Sequence, residues 1–194
     1  MAKLTILVEG YARDGKDYFE ASPTTVLVED CGKRVLVDPG CNKELLVAAF
    51  KKENISMSEV DYIFLTHTHL DHFLNIRLFP KLDVLDGGTI FRGDKEYSFS
   101  KFLPGTKIEV VRTPGHSFEH VALLVWTDSG VVAIAGDVFW WVDGEQKTDL
   151  KSLLTINDPY LHDSKELLKS RKLLLEKSDF IIPGHGKMFK VLKK

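Results

Sequence analysis

Cysteine is nearly absent. The chain has two, Cys31 and Cys41, too few for the disulfide framework of a small secreted domain, so both are expected to be thiols in a reducing cytoplasm. Long apolar runs are also missing. The stretch from Leu4 to Val8 meets Glu9 at once, too short for a secretory leader, and nothing approaches the roughly 20 residues of a membrane span. Neither sign of charge dominates: 26 Lys/Arg against 28 Asp/Glu give −2, which argues against a chain built for wholesale binding to nucleic acid or an anionic bilayer. Glutamine occurs once, at Gln146, and asparagine is scarce, a bias seen in heat-adapted proteins.

What is present is the make-up of one globular domain over residues 1–194, with no linker or low-complexity segment to divide it. A chain of this length buries roughly 70% of its unfolded surface. It needs no metal merely to stay folded, so a metal site would have to be explained by chemistry. The charge is unevenly placed: residues 164–194 carry nine Lys/Arg against three Asp/Glu, and the rest of the chain is net acidic. A solvated helix face with a basic tail explains this. The alternative is a positive rim that attracts anionic substrates.

β-rich runs open the chain, at Lys3 to Glu9, Thr24 to Asp30 and Arg34 to Asp38, the last two joined by a hairpin turn at Cys31-Gly32-Lys33. Residues 10–22 read as a polar loop whose Tyr11, Tyr18 and Phe19 either pack on the body or cover a pocket. Asn42 is a fair N-cap for a helix through Leu45 to Phe50. A strand from Val60 to Leu65 runs into Thr66-His67-Thr68-His69-Leu70-Asp71-His72, and a helix from Phe73 to Phe79 stops at Pro80. Further strands are expected at Lys107 to Arg112, Val121 to Thr127, Val131 to Ala135 and Phe180 to Ile182. A helix from Asp163 to Lys177 carries a capping-box variant, Asp163 with Glu166, and an apolar face of Leu167, Leu168, Leu174 and Leu175.

Five of the seven histidines (His67, His69, His72, His116 and His185) fall at the ends of expected strands. In an extended segment His67, His69 and Asp71 point to one side, and His72 joins them where the chain turns into the helix. Neutral imidazoles and carboxylates converging without a cation would be left desolvated and facing one another, which is costly. A divalent metal removes that cost. His120 and His162 fit the plainer reading of hydrogen-bonded core histidines.

Together, Leu36-Val37-Asp38-Pro39-Gly40, His67-Thr68-His69-Leu70-Asp71-His72, Gly115-His116, Gly136-Asp137 and Gly184-His185-Gly186 resemble, in kind and order, the motifs of the metallo-β-lactamase superfamily. The resemblance implies an α/β fold, a four-layer αββα sandwich with the site at one edge between the sheets. It implies His67, His69 and His116 as ligands of a first metal, Asp71, His72 and His185 as ligands of a second, and Asp137 as a bridge. Asp38 would support the site from behind its ligands. Asp71 and Asp137 are the residues expected to carry the chemistry. Two cations about 3.5–4 Å apart share a water whose pKa falls to about 7, supplying a metal-bridging hydroxide. Zinc suits such donors, and iron or manganese would tolerate them.

His69 departs from the flavodiiron branch, which has a carboxylate there, and Asp137 departs from lactamases that use a cysteine ligand. Phe73-Leu74-Asn75 stands where many relatives have a glycine pair, so the pocket wall should differ. The segments between the motifs are too short for an added substrate-gripping domain. The expected activity is hydrolysis of an ester, thioester or phosphodiester of a small molecule. Leu78-Phe79-Pro80, Ala135 to Phe139 and Phe189 to Leu192 are similar to a small animal subgroup associated with RNA cleavage, which keeps a single-stranded RNA or DNA nuclease open as an alternative. An iron-dependent persulfide dioxygenase is another, because that branch shares the motifs. Trp140 and Trp141 are adjacent, so one should face the cleft or solvent. Lys187 could meet a substrate anion or be a solvated lysine, and Thr66 and Thr68 should make supporting hydrogen bonds. No membrane partner is expected, and a homodimer is plausible.

Overall fold

The computed structural model describes residues 1–192; Lys193 and Lys194, the end of the basic tail, lie outside the described residues. One sheet has seven strands in the order β1 (Lys3–Val8), β4 (Thr25–Asp30), β5 (Lys33–Val37), β6 (Tyr62–Phe64), β7 (Asp83–Leu85), β8 (Thr89–Arg92) and β9 (Lys95–Ser98). A separate antiparallel hairpin is formed by β2 (Tyr11–Asp14) and β3 (Phe19–Ser22). The second sheet has five strands in the order β10 (Glu109–Arg112), β11 (Val121–Thr127), β12 (Gly130–Ile134), β13 (Phe180–Ile182) and β14 (Phe189–Lys190). The helices are α1 (Lys43–Lys52), α2 (Leu70–Phe73), α3 (Leu150–Leu154) and α4 (Ser164–Lys177).

Strand alternation sorts the apolar side chains into three cores. Val26 and Val28 of β4, Val35 and Val37 of β5, and Tyr62 and Phe64 of β6 face Leu123, Val125, Val132 and Ile134 of the other sheet. Their neighbours Leu27, Leu36 and Ile63 point the other way, onto Leu46, Ala49 and Phe50 of α1. On the far side, Ala122, Leu124, Ala133 and Ile181 meet Leu153 of α3 and Leu167 and Leu174 of α4. The result is the expected αββα sandwich. Each buried branched side chain contributes roughly 1.5–3 kcal/mol, and a one-residue slip of β4 would exchange the two cores it separates, so both faces fix its register.

Local signals explain the element ends. Cys31 and Gly32 both have positive φ (49° and 77°) between the paired residues Asp30 and Lys33, the geometry of a two-residue hairpin turn. Asn42 caps α1 through Leu45 N–H at 3.0 Å, and Asp163 caps α4 through Lys165 and Glu166.

Several expectations need correction. Residues 10–22 are not a loop throughout but carry the β2–β3 hairpin. The helix from Phe73 to Phe79 is instead the last residue of α2 followed by a tighter turn, Leu74–Leu78. Leu168 does not share the buried stripe of α4: it sits about 100° round from Leu167 and is 37% exposed. Glu166 does not reach back to close a capping box but pairs with Lys169. His162 is exposed against Phe118 rather than in the core. Strands β7 to β9 were not anticipated. Among the described residues, no helix is long and apolar enough to cross a membrane.

Candidate metal centre

The chemistry-bearing residues lie past the C-terminal ends of four strands. His67 and His69 follow β6, His116 follows β10, Asp137 follows β12 and His185 follows β13. Asp71 and His72 are on α2. His67 and His69 lie past the strand on backbone that is still extended at His69 (φ −72°, ψ 138°) and share one group as expected, but the extended-segment reading does not carry on to Asp71, which is already helical. The turn into α2 sends Asp71 and His72 to a second cluster.

Two groups of donor atoms result: His67, His69, His116 and Asp137, and Asp71, His72 and His185. In the first, His69 Nδ1 lies 3.0 Å from His67 Nε2 and 2.9 Å from His116 Nε2. Asp137 Oδ2 stands 3.3 Å from His116 Nε2 and 3.8 Å from His67 Nε2. Its other oxygen, Oδ1, turns to the second group, 3.3 Å from His72 Nε2 and 3.6 Å from His185 Nε2. Asp71 Oδ2 completes that group at 3.7 and 3.4 Å from the same two nitrogens. Donors bound tetrahedrally at about 2.0–2.1 Å are about 3.3–3.4 Å apart, so both groups have the spacing of a cation's coordination shell. His72 Nε2 and Asp137 Oδ1 are buried with no hydrogen-bond partner. Leaving both unsatisfied is costly, and a divalent cation satisfies both.

The far sides of four of the five imidazoles, all but His69, are held by the contacts that follow. His67 Nδ1 is 3.0 Å from Thr66 Oγ1, which donates to Asp38 Oδ2 at 2.7 Å. His72 Nδ1 is 2.9 Å from the same Asp38 oxygen, and Asp38 Oδ1 accepts the Thr66 N–H. Asp38 reaches these partners from a left-handed backbone, φ 46°. His116 Nδ1 is 2.7 Å from Asp158 Oδ2, and His185 Nδ1 is 2.9 Å from the carbonyls of Tyr11 and Ser22. These contacts fix the four rings so that Nε2 points inward, whereas His69 presents Nδ1. His120, buried as expected, bonds Thr113 through Nδ1 and accepts the Asp137 N–H on Nε2. Gly184 leaves room for the carboxylate: a Cβ there would overlap Asp137 Oδ1.

Burial and mutual charge strain the cluster. Burial opposes charge on His72, but Asp137 and Asp38 outweigh it and hold its pKa well above the usual value. Burial likewise opposes the ionised Asp137, yet His72 and His185 hold it well below the carboxylate range. Burial pushes His67 down, helped by His72, and pushes His120 down to about 3, helped by His116. A cation requires neutral imidazoles around an ionised carboxylate, the state already favoured at His67 and Asp137, and its binding would displace the proton that His72 otherwise holds.

A cavity of about 540 Å³ opens onto His69, Asp71, Asp137 and His185. Trp140 and Tyr160 form one wall, with ring centroids 6.0 Å apart. Trp140 faces this cavity, whereas Trp141 packs into the outer core against Phe189. Thr68 binds Glu119, and Lys187 is exposed beside Gln146 rather than at the cavity. Sequence reasoning missed Asp158 and Tyr160, and no local pattern marks either residue.

The fold and the two His/Asp groups define a metal-dependent hydrolase. The family model described as "Metallo-beta-lactamase superfamily" matches residues 19–90. A Xenopus laevis protein, metallo-beta-lactamase domain-containing protein 1, is 33% identical over 97% of this chain and 81% of its own length. The chain belongs to the metallo-beta-lactamase superfamily. Among solved structures, a Thermotoga maritima protein described as a candidate metallo-beta-lactamase matches at TM-score 0.67 and 21% identity, covering 97% of this chain and 99% of that one. The dizinc quorum-quenching lactonase AidC matches at TM-score 0.62 and 14% identity, covering 91% and 77%; likenesses this remote show the fold.

Proposed function

We propose that the protein is a dinuclear hydrolase that cleaves an ester, thioester or phosphodiester of a small substrate. His67, His69 and His116 would hold one cation and Asp71, His72 and His185 the other. Asp137 would give Oδ2 to the first and Oδ1 to the second. The division of the two Asp137 oxygens between the two groups carries this reading. Bound divalent cations supply Lewis acidity and lower the pKa of water to about 7. Asp71 and Asp137 offset part of the cationic charge, and the buried imidazoles keep the donors fixed. Zinc is the proposed ion, from the imidazole-rich donors and from the dizinc neighbour of the same fold.

The nuclease alternative draws on the basic C-terminal segment, but among the described residues no lysine or arginine lines the cavity. The test combines metal analysis with a panel of thioester, phosphodiester and persulfide substrates. Two zincs per chain and hydrolysis, both lost in Asp137→Ala, are expected. One iron per chain with oxygen uptake on the persulfide would contradict the proposal, as would retained turnover in the variant.

A further inference from the structure

The cavity above the two groups has a chemical character of its own. Among the described residues, the only Asp, Glu, Lys or Arg side chains that line it are Asp71 and Asp137, and both already belong to the donor groups. Besides these, the donors His69 and His185 and the thiol of Cys41, the lining is apolar or aromatic and comes from three regions. Ala12 and Ala21 form a cross-strand pair on the inner face of the β2–β3 hairpin, with Phe19 on the same face. Leu70 and Leu74 come from α2 and the turn after it. Trp140 and Tyr160 close the opposite side.

Phe19, Leu70, Leu74 and Tyr160 are exposed by 43, 64, 37 and 56%. Large hydrophobics left uncovered around one cavity mouth mark a binding surface rather than scattered surface residues. The hairpin also turns Arg13 away from the cavity. Arg13 lies over the Tyr11 ring at 4.2 Å and pairs with Asp143 at 2.6 Å, while its neighbour Ala12 lines the cavity. Small side chains at positions 12 and 21 leave space where larger ones would fill it. Beyond the cations of the proposed centre, the described residues of these walls offer an extended polyanion no counter-charge, and it would lose solvation against Leu and Phe.

We infer that the substrate is an uncharged carboxylic ester or thioester whose apolar acyl chain lies between the hairpin face and the Leu70/Leu74 wall. The inference rests on the hydrolytic reading above. In the reaction, the oxygen of water bonds to the acyl carbon and the acyl C–O or C–S bond breaks. One proton of water goes to the departing alcohol or thiol and the other to solvent, leaving a carboxylate.

The test has two arms on the zinc-loaded protein. In the first, straight-chain alkan-2-ones from butanone to decanone are titrated against tryptophan fluorescence, with no turnover involved. Affinity should rise about fourfold per methylene until the cavity is full. Ala21→Leu should cut the advantage of the long ketones over the short ones, and the partly exposed Leu74→Lys should do the same without filling the core. In the second arm, p-nitrophenyl esters from acetate to octanoate are compared with bis(p-nitrophenyl) phosphate. kcat/KM should climb with chain length and exceed that of the phosphodiester.

A flat chain-length response of the ketones overturns the inference, as does preference for the phosphodiester or indifference to both variants. Chain-dependent ketone binding with no hydrolysis of any compound upholds the apolar acyl site and instead overturns the hydrolytic reading.

Discussion

The two donor groups that share Asp137 use the same kinds of side chain but are secured differently. The first sets three imidazoles against one carboxylate oxygen and is braced by side chains, Thr66 behind His67 and Asp158 behind His116. The second has two imidazoles and the Asp71 carboxylate, with Asp137 Oδ1 beside them. It is braced by Asp38 behind His72 and by main-chain carbonyls of the hairpin strands behind His185. A cation in the second group would be held more by charge, and in the first more by imidazole coordination. The two halves should therefore be separable by changing a brace that serves one group alone and inseparable by changing Asp137.

The largest effect is expected from Asp137→Ala. Loss of the shared carboxylate should lower affinity at both groups by more than about 100-fold, beyond what removal of a supporting partner costs. Metal analysis after dialysis would show it, and retention of one tightly held ion would mean the groups do not share Asp137. Next is Gly184→Ala, whose new methyl group displaces that carboxylate. It should lower the unfolding free energy by about 1–3 kcal/mol and weaken both groups, read by thermal melts with and without zinc. Smaller effects are expected from the braces. Asp158→Asn, behind His116 alone, should cost about 10–100-fold in affinity for the first cation, weakening one step of a two-step zinc titration. Asp38→Asn, which backs His72 directly and His67 through Thr66, should weaken both steps, and loss of both steps in Asp158→Asn would merge the groups.

At neutral pH the smallest effect is that of His120, which holds the Asp137 N–H from behind both groups and whose contribution emerges on acidification. Its folded pKa is about 3 against a usual 6.5. Below pH 6.5 the unfolded chain takes up a proton that the folded chain refuses, so this contribution to stability is intact above about 6.5. It falls by up to about 1.4 kcal/mol per pH unit from there towards 3. Denaturant melts across that range should show a shallower acid loss in His120→Gln than in the unaltered protein.

Much of this was legible in the sequence because its signals are local. The run from His67 to His72 and the apolar runs of β4, β5 and β11 lie in short stretches read by spacing and residue type, while Gly136-Asp137 and Gly184-His185 were tied to the site by their resemblance to family motifs. Asp158 was not legible, because its link to His116 spans 42 positions and depends on how α3 and α4 bring their connecting loop to the site. The hairpin was hidden for another reason. β2 and β3 are four residues each, and their inner face is mostly small, Ala12 and Ala21, so alternation is faint. The same faintness hid β8 and β9, whose side chains are largely exposed.

The most direct measurement is an anomalous X-ray diffraction map of crystals of the zinc-loaded protein. Two peaks are expected, one among His67, His69 and His116 and the other among Asp71, His72 and His185, with one Asp137 oxygen directed to each. A single peak, or peaks away from Asp137, would contradict the shared-carboxylate centre.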